Sequence, residues 1–216
     1  MFLKGKKKSK VTSGDPRWDR FAQRAKEEGY ASRAVYKLQE IDKRFQVFRP
    51  GQRVLDLGCA PGGWLKYAAQ QVGAPGRVVG IDRFEIKFSL PNLRTMAGDL
   101  TAGVDLGADA VPYDVVLSDM APDTTGIRHV DKDRSAALAR LAFVWARRYG
   151  KVGSTFVCKL FQGPDFHELL GEVKLTYGKV RCVRPEATRK ESFEIYIVAQ
   201  NKNVGPQIPA NDATTV

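Results

Sequence analysis

The sequence predicts a doubly wound α/β fold: a mostly parallel sheet with helices on both faces and an antiparallel final strand. Three observations predict it. Short apolar runs alternate with helical patterns from residue 53 onward. The last two runs are separated by only nine residues, 184–192, too few for a helical crossover, so they run antiparallel to each other. The chain of 216 residues suits one such domain with short extensions.

The elements follow in order. Residues 19–28 read as a short helix ended by Gly29. A second helix is expected from Ser32, as N-cap, to about Phe45. Its Ala34, Leu38, Ile41 and Phe45 recur at i, i+4, i+7 and i+11, one helix face, with Lys37 at the edge of that stripe. Pro50-Gly51 then breaks the chain. Strands are expected at Arg53–Leu57, Arg77–Ile81, Leu93–Ala97, Asp114–Ser118, Ser154–Phe161, Val180–Val183 and Phe193–Ala199. Helical patterns occupy 62–72, about 131–149 and about 164–175. A single domain over 15–202 is therefore expected. Residues 1–14 and 203–216 lack apolar periodicity and are expected to be disordered tails.

Composition removes whole classes of function. Apolar residues make up 43% and charged residues 27%, which excludes a wholly disordered or fibrous chain. No run of 18 apolar residues could span a bilayer, and the Lys-rich start does not read as a secretory signal. Cys59, Cys158 and Cys182 are far apart, with no C-x-x-C and no Cys/His cluster. No disulfide framework, no metal site and a reducing, cytoplasmic compartment are expected. His129 and His167 have no partners in motif context and are expected at the surface.

The net charge of +11 is unevenly placed. Residues 1–50 carry +8 and residues 174–202 carry +4, whereas residues 51–173 balance 14 basic against 14 acidic side chains. Two basic segments flanking a neutral middle suit a polyanion, if they meet in space.

The strand ends carry the chemistry. The first four runs reach Asp56, Asp82, Asp99 and Asp119 at their ends, and the fifth contains Lys159. In a doubly wound sheet ligands bind beyond the carboxyl ends of the strands. One aspartate there is ordinarily a turn or cap residue; four in succession with a lysine imply a site. Lys159 lies within the apolar run Thr155–Phe161, where a charge is costly unless paired, although a strand-end lysine can also snorkel to water. Glu194 interrupts a strand in which Phe193, Ile195 and Ile197 share a face. On the plainer reading it points outward from an edge strand.

The first strand-to-helix turn, Asp56-Leu57-Gly58-Cys59-Ala60-Pro61-Gly62-Gly63-Trp64, is Gly-rich but is not the G-x-G-x-x-G dinucleotide fingerprint, because Ala60 holds the second glycine position. It resembles the S-adenosylmethionine loop of the FtsJ family of RNA ribose 2′-O-methyltransferases. The resemblance continues through Ser32–Leu38, Ser118–Pro122, Lys159–Gly163, Arg184-Pro185 and Ser192–Tyr196, covering about residues 17–202. It implies the Rossmann-like class I methyltransferase sheet of seven strands. Among family members, the chain looks most similar to those that methylate a uridine ribose in large-subunit (23S-type) ribosomal RNA.

The resemblance also implies a site. S-adenosylmethionine would be held by Asp56, Gly58, Pro61, Gly62, Gly63, Trp64, Asp82, Asp99 and Asp119, and S-adenosylhomocysteine would be released. Gly62 and Trp64 would lie beside the methionine part, Asp82 at the ribose, Asp99 at the adenine and Asp119 near the sulfonium. The family's catalytic Lys-Asp-Lys-Glu set matches Lys37, Asp119, Lys159 and Glu194. Lys159 would be the general base or proton-steering group for the ribose hydroxyl. RNA phosphates would run between Arg17, Arg20, Arg24, Arg33, Lys43 and Arg44 on one side and Arg181, Arg184, Arg189 and Lys190 on the other. Residues 15–50 would form the RNA-facing helices.

Three other readings compete. The segment Ala121–Ile127 followed by Val130-Asp131 also resembles relatives that methylate tRNA ribose. A non-catalytic RNA-binding or ribosome-assembly factor need not keep four ionisable residues at separated positions. A nicotinamide-dependent oxidoreductase is disfavoured by the missing second glycine and the basic flanks. A monomer is expected.

Overall fold

Seven strands form one sheet in the order β3-β2-β1-β4-β5-β7-β6 in this computed structural model. The structure describes residues 16–189 and 192–203. The expected tail 1–14, Lys190, and residues 204–216 of the second tail lie outside these described residues. Asn203, where that tail was expected to begin, donates its N–H to the Thr176 carbonyl at 2.8 Å.

The elements are α1 (Pro16–Glu27), α2 (Val35–Phe45), β1 (Arg53–Leu57), α3 (Gly63–Val72), β2 (Arg77–Asp82), β3 (Leu93–Ala97), a 3-10 turn (Gly107–Asp109), β4 (Tyr113–Ser118), α4 (Arg128–Tyr149), β5 (Gly150–Phe161), α5 (Phe166–Thr176), β6 (Tyr177–Val183) and β7 (Glu194–Lys202). β1 pairs in parallel with β2 and β4, β2 with β3, and β4 with β5. β7 enters antiparallel between β5 and β6. The predicted fold class is therefore the observed one. The plainer reading of Glu194 does not hold: β6 is the edge, and β7 is paired on both sides. One expectation needs correction. Ser32 does not cap α2 through its side chain. Ala34 is the N-cap, and the Ser32 carbonyl instead accepts the Val35 N–H at 3.4 Å.

Strand side chains alternate between faces, so consecutive residues feed two cores. Val54, Val78, Val115, Leu117, Val157 and Val198 pack with α2 and α3. Leu55, Leu57, Val79, Ile81, Val116, Phe156 and Leu160 pack with α4 and α5. Both faces are covered, which explains why the strands read as continuous apolar runs rather than alternating ones. Each fully buried aliphatic side chain contributes roughly 1.5–3 kcal/mol. Alternation also sorts the polar residues. Asp56 lies between Leu55 and Leu57, and Lys159 between Cys158 and Leu160, so both point to the α2/α3 face.

Candidate active site

Strand order reverses between β1 and β4, and the crevice at such a switch point is where α/β sheets bind ligands. Here it holds a cleft of about 730 Å³. Its lining includes Gly58, Asp82, Asp99 and Asp119, all expected from the sequence, together with Phe84, Met120, Arg134 and Leu138, which sequence reasoning did not single out. Phe84 leaves 66% of its surface exposed. Its signal in the sequence was position alone, two residues beyond the aspartate that ends β2.

The carboxylates differ in state. Asp82 accepts N–H bonds from Ala60 at 2.8 Å and Phe84 at 2.9 Å, which ties the glycine turn to the end of β2. Asp99 Oδ1 accepts from the Thr101 hydroxyl at 2.7 Å and the Thr101 N–H at 2.9 Å. These bonds hold its carboxyl below the usual range. Asp56 is 1% exposed, and neither of its oxygens has a hydrogen-bond partner. Burial, then the charges of Asp119 and Asp82, push it well above an ordinary carboxylate.

The glycine turn is shaped as a cradle. Gly58 and Gly62 both have positive φ, +71° and +101°. A Cβ on Gly58 would stand 2.2 Å from Met120 Cγ, and one on Gly62 would stand 2.5 Å from Phe88. Pro61, Gly62, Gly63 and Trp64 are not among the residues lining the cleft. Trp64 is buried instead, with Nε1 donating to the Ala34 carbonyl at 2.9 Å and its ring 5.7 Å from that of Tyr196.

Beside the cleft, Lys37, Asp119, Lys159 and Glu194 converge from α2, the end of β4, β5 and β7. Lys159 is 7% exposed. Its amine donates to Asp119 Oδ1 at 2.9 Å and to the Asp119 carbonyl at 2.5 Å. Lys37 pairs with Glu194 at 2.5 Å. Tyr196 joins the two ion pairs: its hydroxyl lies 2.8 Å from Asp119 Oδ1 and 2.8 Å from Glu194 Oε1. This fully buried phenol is pushed well above its ordinary range, first by burial and then by the two carboxylates. Residue type alone assigns Tyr196 no role. Its signal was its spacing, two residues after Glu194 on the same strand face.

The basic flanks come together. The Glu186 N–H donates to Glu40 on α2 at 2.7 Å, so the loop bearing Arg184 and Arg189 abuts the helix bearing Lys37, Lys43 and Arg44. Arg20, Arg24, Lys43, Arg44, Arg181, Arg184 and Arg189 are exposed, and Arg33 is half-buried. Arg24 pairs with Glu28 at 2.7 Å and lies over the Tyr36 ring. Arg17 lies within α1. Cys59 and Cys158 are buried and Cys182 is exposed; all three are free thiols. His129 and His167 are exposed. Among the described residues no cluster of His, Cys, Asp or Glu could hold a metal ion, and no helix is long and apolar enough to cross a membrane.

A sheet of this order with an acidic cleft at its switch point defines a Rossmann-like methyltransferase. A family model described as FtsJ-like methyltransferase matches residues 30–202, and the chain belongs to that family. It is 45% identical over 213 residues to the ribosomal RNA large subunit methyltransferase E of Desulfatibacillum aliphaticivorans, covering 95% of this chain and 99% of that one. It is 44% identical over 206 residues to the protein of that name in Halobacterium salinarum, covering 93% and 79%. A solved structure from Plasmodium falciparum, carrying a ribosomal RNA methyltransferase name, superposes with a TM-score of 0.70 at 25% identity, covering 80% of this chain and 98% of that one.

S-adenosylmethionine fits what is present. The cleft offers carboxylates spaced along three strand ends, an exposed aromatic ring, and the backbone of Gly58 in its lining.

Proposed function

We propose that this protein methylates a ribose 2′-hydroxyl of large-subunit ribosomal RNA, a uridine being the expected target, using S-adenosylmethionine. It acts as a cytoplasmic monomer. The observation that carries the reading is the closed arrangement of two Lys–carboxylate pairs joined through Tyr196 beside an acidic cleft. The names of the relatives point to the ribosomal large subunit as substrate.

Bound S-adenosylmethionine supplies an electrophilic methyl group. Gly58, which lines the cleft, lets a ligand approach the backbone, with Pro61, Gly62, Gly63 and Trp64 shaping the rest of the turn. Asp82 has acceptor capacity for a ribose diol and Asp99 for an adenine amine. Asp119 places a negative charge where a sulfonium is attracted.

Lys159 meets the RNA hydroxyl. An amine has three N–H directions, and Asp119 takes two of them. The third direction faces the reacting oxygen: as a lone pair it accepts the proton, and as N–H it orients the oxygen. Lys37, held by Glu194, adds positive charge beside a developing alkoxide. The abutting basic loop and α2 give phosphates a surface to follow.

The test is tritiated methyl transfer to isolated large ribosomal subunits, naked ribosomal RNA and tRNA, followed by mapping of the modified nucleotide. Label in a ribose of large-subunit RNA is the expected result. Label in tRNA alone would move the substrate, and no label in any RNA would overturn the reading.

A further inference from the structure

The middle of the chain is neutral overall, so it contributed nothing to the RNA surface expected from charge. The structure nevertheless concentrates cations there at one place. Arg128 opens α4, and Lys132 follows four residues later on the same helix face. The Arg128 guanidinium carbon lies 5.2 Å, and the Lys132 amine 4.7 Å, from the centre of the Phe193 ring. Phe193 immediately precedes Glu194, and 38% of its surface is exposed. Its backbone is fixed, its carbonyl accepting the Gln162 N–H at 2.9 Å.

This cluster is not explained by stability. A cation in the first turn of a helix faces the wrong end of the helix dipole. Like charges at i and i+4 repel. Among the described residues neither Arg128 nor Lys132 forms an ion pair with a carboxylate. Phe193 is only part-buried, which leaves ring surface open to a ligand. The cluster is also held in place. Asp131 accepts N–H bonds from Thr125 at 2.7 Å and Gly126 at 3.2 Å, pinning the segment that leads into α4.

Its position gives it a use. Glu194 pairs with Lys37 from the α2 side of the sheet, whereas Phe193 meets α4, on the other side. The ring therefore borders the ion-pair cluster on the side away from the basic loop and α2. RNA bound along that loop would leave the site over Phe193. We propose that Phe193, Arg128 and Lys132 dock the nucleotide that flanks the methylated one: its base stacks on the exposed part of the ring, and its phosphate lies between the two cations. Stacking on an aromatic ring accepts any base, whereas the paired cations require a phosphate. This inference rests on the RNA 2′-O-methylation proposed above.

The test is steady-state methyl transfer to isolated large ribosomal subunits, with S-adenosylmethionine affinity measured separately by thermal shift. Phe193→Ala should raise KM for the subunit about tenfold, with the loss in KM rather than kcat. Phe193→Leu keeps apolar bulk without a ring and should also raise KM, whereas Phe193→Trp should stay within twofold of wild type. The double change Arg128→Gln, Lys132→Gln should lower the salt slope of RNA binding by roughly 0.7, the value for one single-strand phosphate. Phe193→Leu with an unchanged KM would overturn the stacking, and an unchanged salt slope would overturn the phosphate contact. Failure of the wild-type protein to label any RNA would instead overturn the proposed activity.

Discussion

Tyr196 stands directly opposite Lys159 in the antiparallel β5–β7 ladder. Cross-strand partners point to the same face, so the phenol and the amine reach Asp119 together: the amine at 2.9 Å and the hydroxyl at 2.8 Å from the same carboxylate oxygen. The strand register, rather than any loop, sets the spacing of the cluster.

Removing the amine tests the chemistry. Lys159→Ala should lower the methyl-transfer rate by about 10²–10⁴-fold, the usual range for a positioned proton-transfer group. S-adenosylmethionine should still raise the melting temperature. Near-wild-type turnover in the variant would remove Lys159 from the mechanism.

Removing only the bridge tests the register argument. Tyr196→Phe keeps the packing against Trp64 but leaves Asp119 and Glu194 without their shared hydroxyl. A lost hydrogen bond to a charged group costs about 1.5–3 kcal/mol. Both the unfolding midpoint and the rate constant for methyl transfer should fall. A variant with unchanged kcat would show that the two ion pairs act independently.

Asp56 predicts a pH dependence. Its folded pKa is raised, so the folded protein holds a proton that the unfolded chain releases at the ordinary carboxylate value. The stabilisation from this group is complete at acid pH and is lost as pH rises through the folded pKa. Asp56→Asn has no such proton. Its melting temperature, measured from pH 3 to 9, should lie closest to wild type below the ordinary carboxylate value and exceed it increasingly as pH rises above that value. Parallel curves would mean that Asp56 is stabilised by something the bare carboxyl does not reveal.

Two glycines should respond in opposite ways to alanine. Gly62→Ala forces a side chain into φ of +101° and against Phe88. It should cost at least about 1–2 kcal/mol and weaken S-adenosylmethionine binding in a titration. Gly171, within α5, has nothing within 4 Å of its would-be Cβ. Gly171→Ala should stabilise the protein by about 0.5–1 kcal/mol, with cofactor binding unchanged.

The joined basic surface predicts steep salt dependence. RNA affinity should fall on the order of 10³-fold between about 50 and 200 mM salt if six or more phosphates are contacted. A nearly flat response in a filter-binding titration would leave the exposed arginines of α1, α2 and the 184–189 loop without an RNA role.

Much of this was legible in the residues. Continuous apolar runs located β1, β2, β4 and β5, because strands buried on both faces have no polar side to disguise them. The nine-residue gap before β7 announced its direction, because no helix fits so short a crossover. The aspartates at strand ends marked the cleft, because the carboxyl edge of a doubly wound sheet is where its turns converge. Other features were not legible. Ser32 has the right side chain for a cap, but the chain turns into α2 through its carbonyl. Arg128 and Lys132 were hidden by the acidic residues around them in sequence, which cancel their charge in any local count.

By itself the sequence determined the fold class and the acidic strand ends, since these follow from local periodicity and residue type; the four ionisable residues of the cluster were implied by the family resemblance. The tertiary structure alone decided that β7 lies inside the sheet and that Tyr196 bridges two ion pairs. It also decided that the 184–189 loop rests on α2 and that Phe193 lies under two cations. Each of these depends on strand order and register, which bring together residues far apart along the chain. No local pattern encodes such contacts; they exist only once the sheet has assembled.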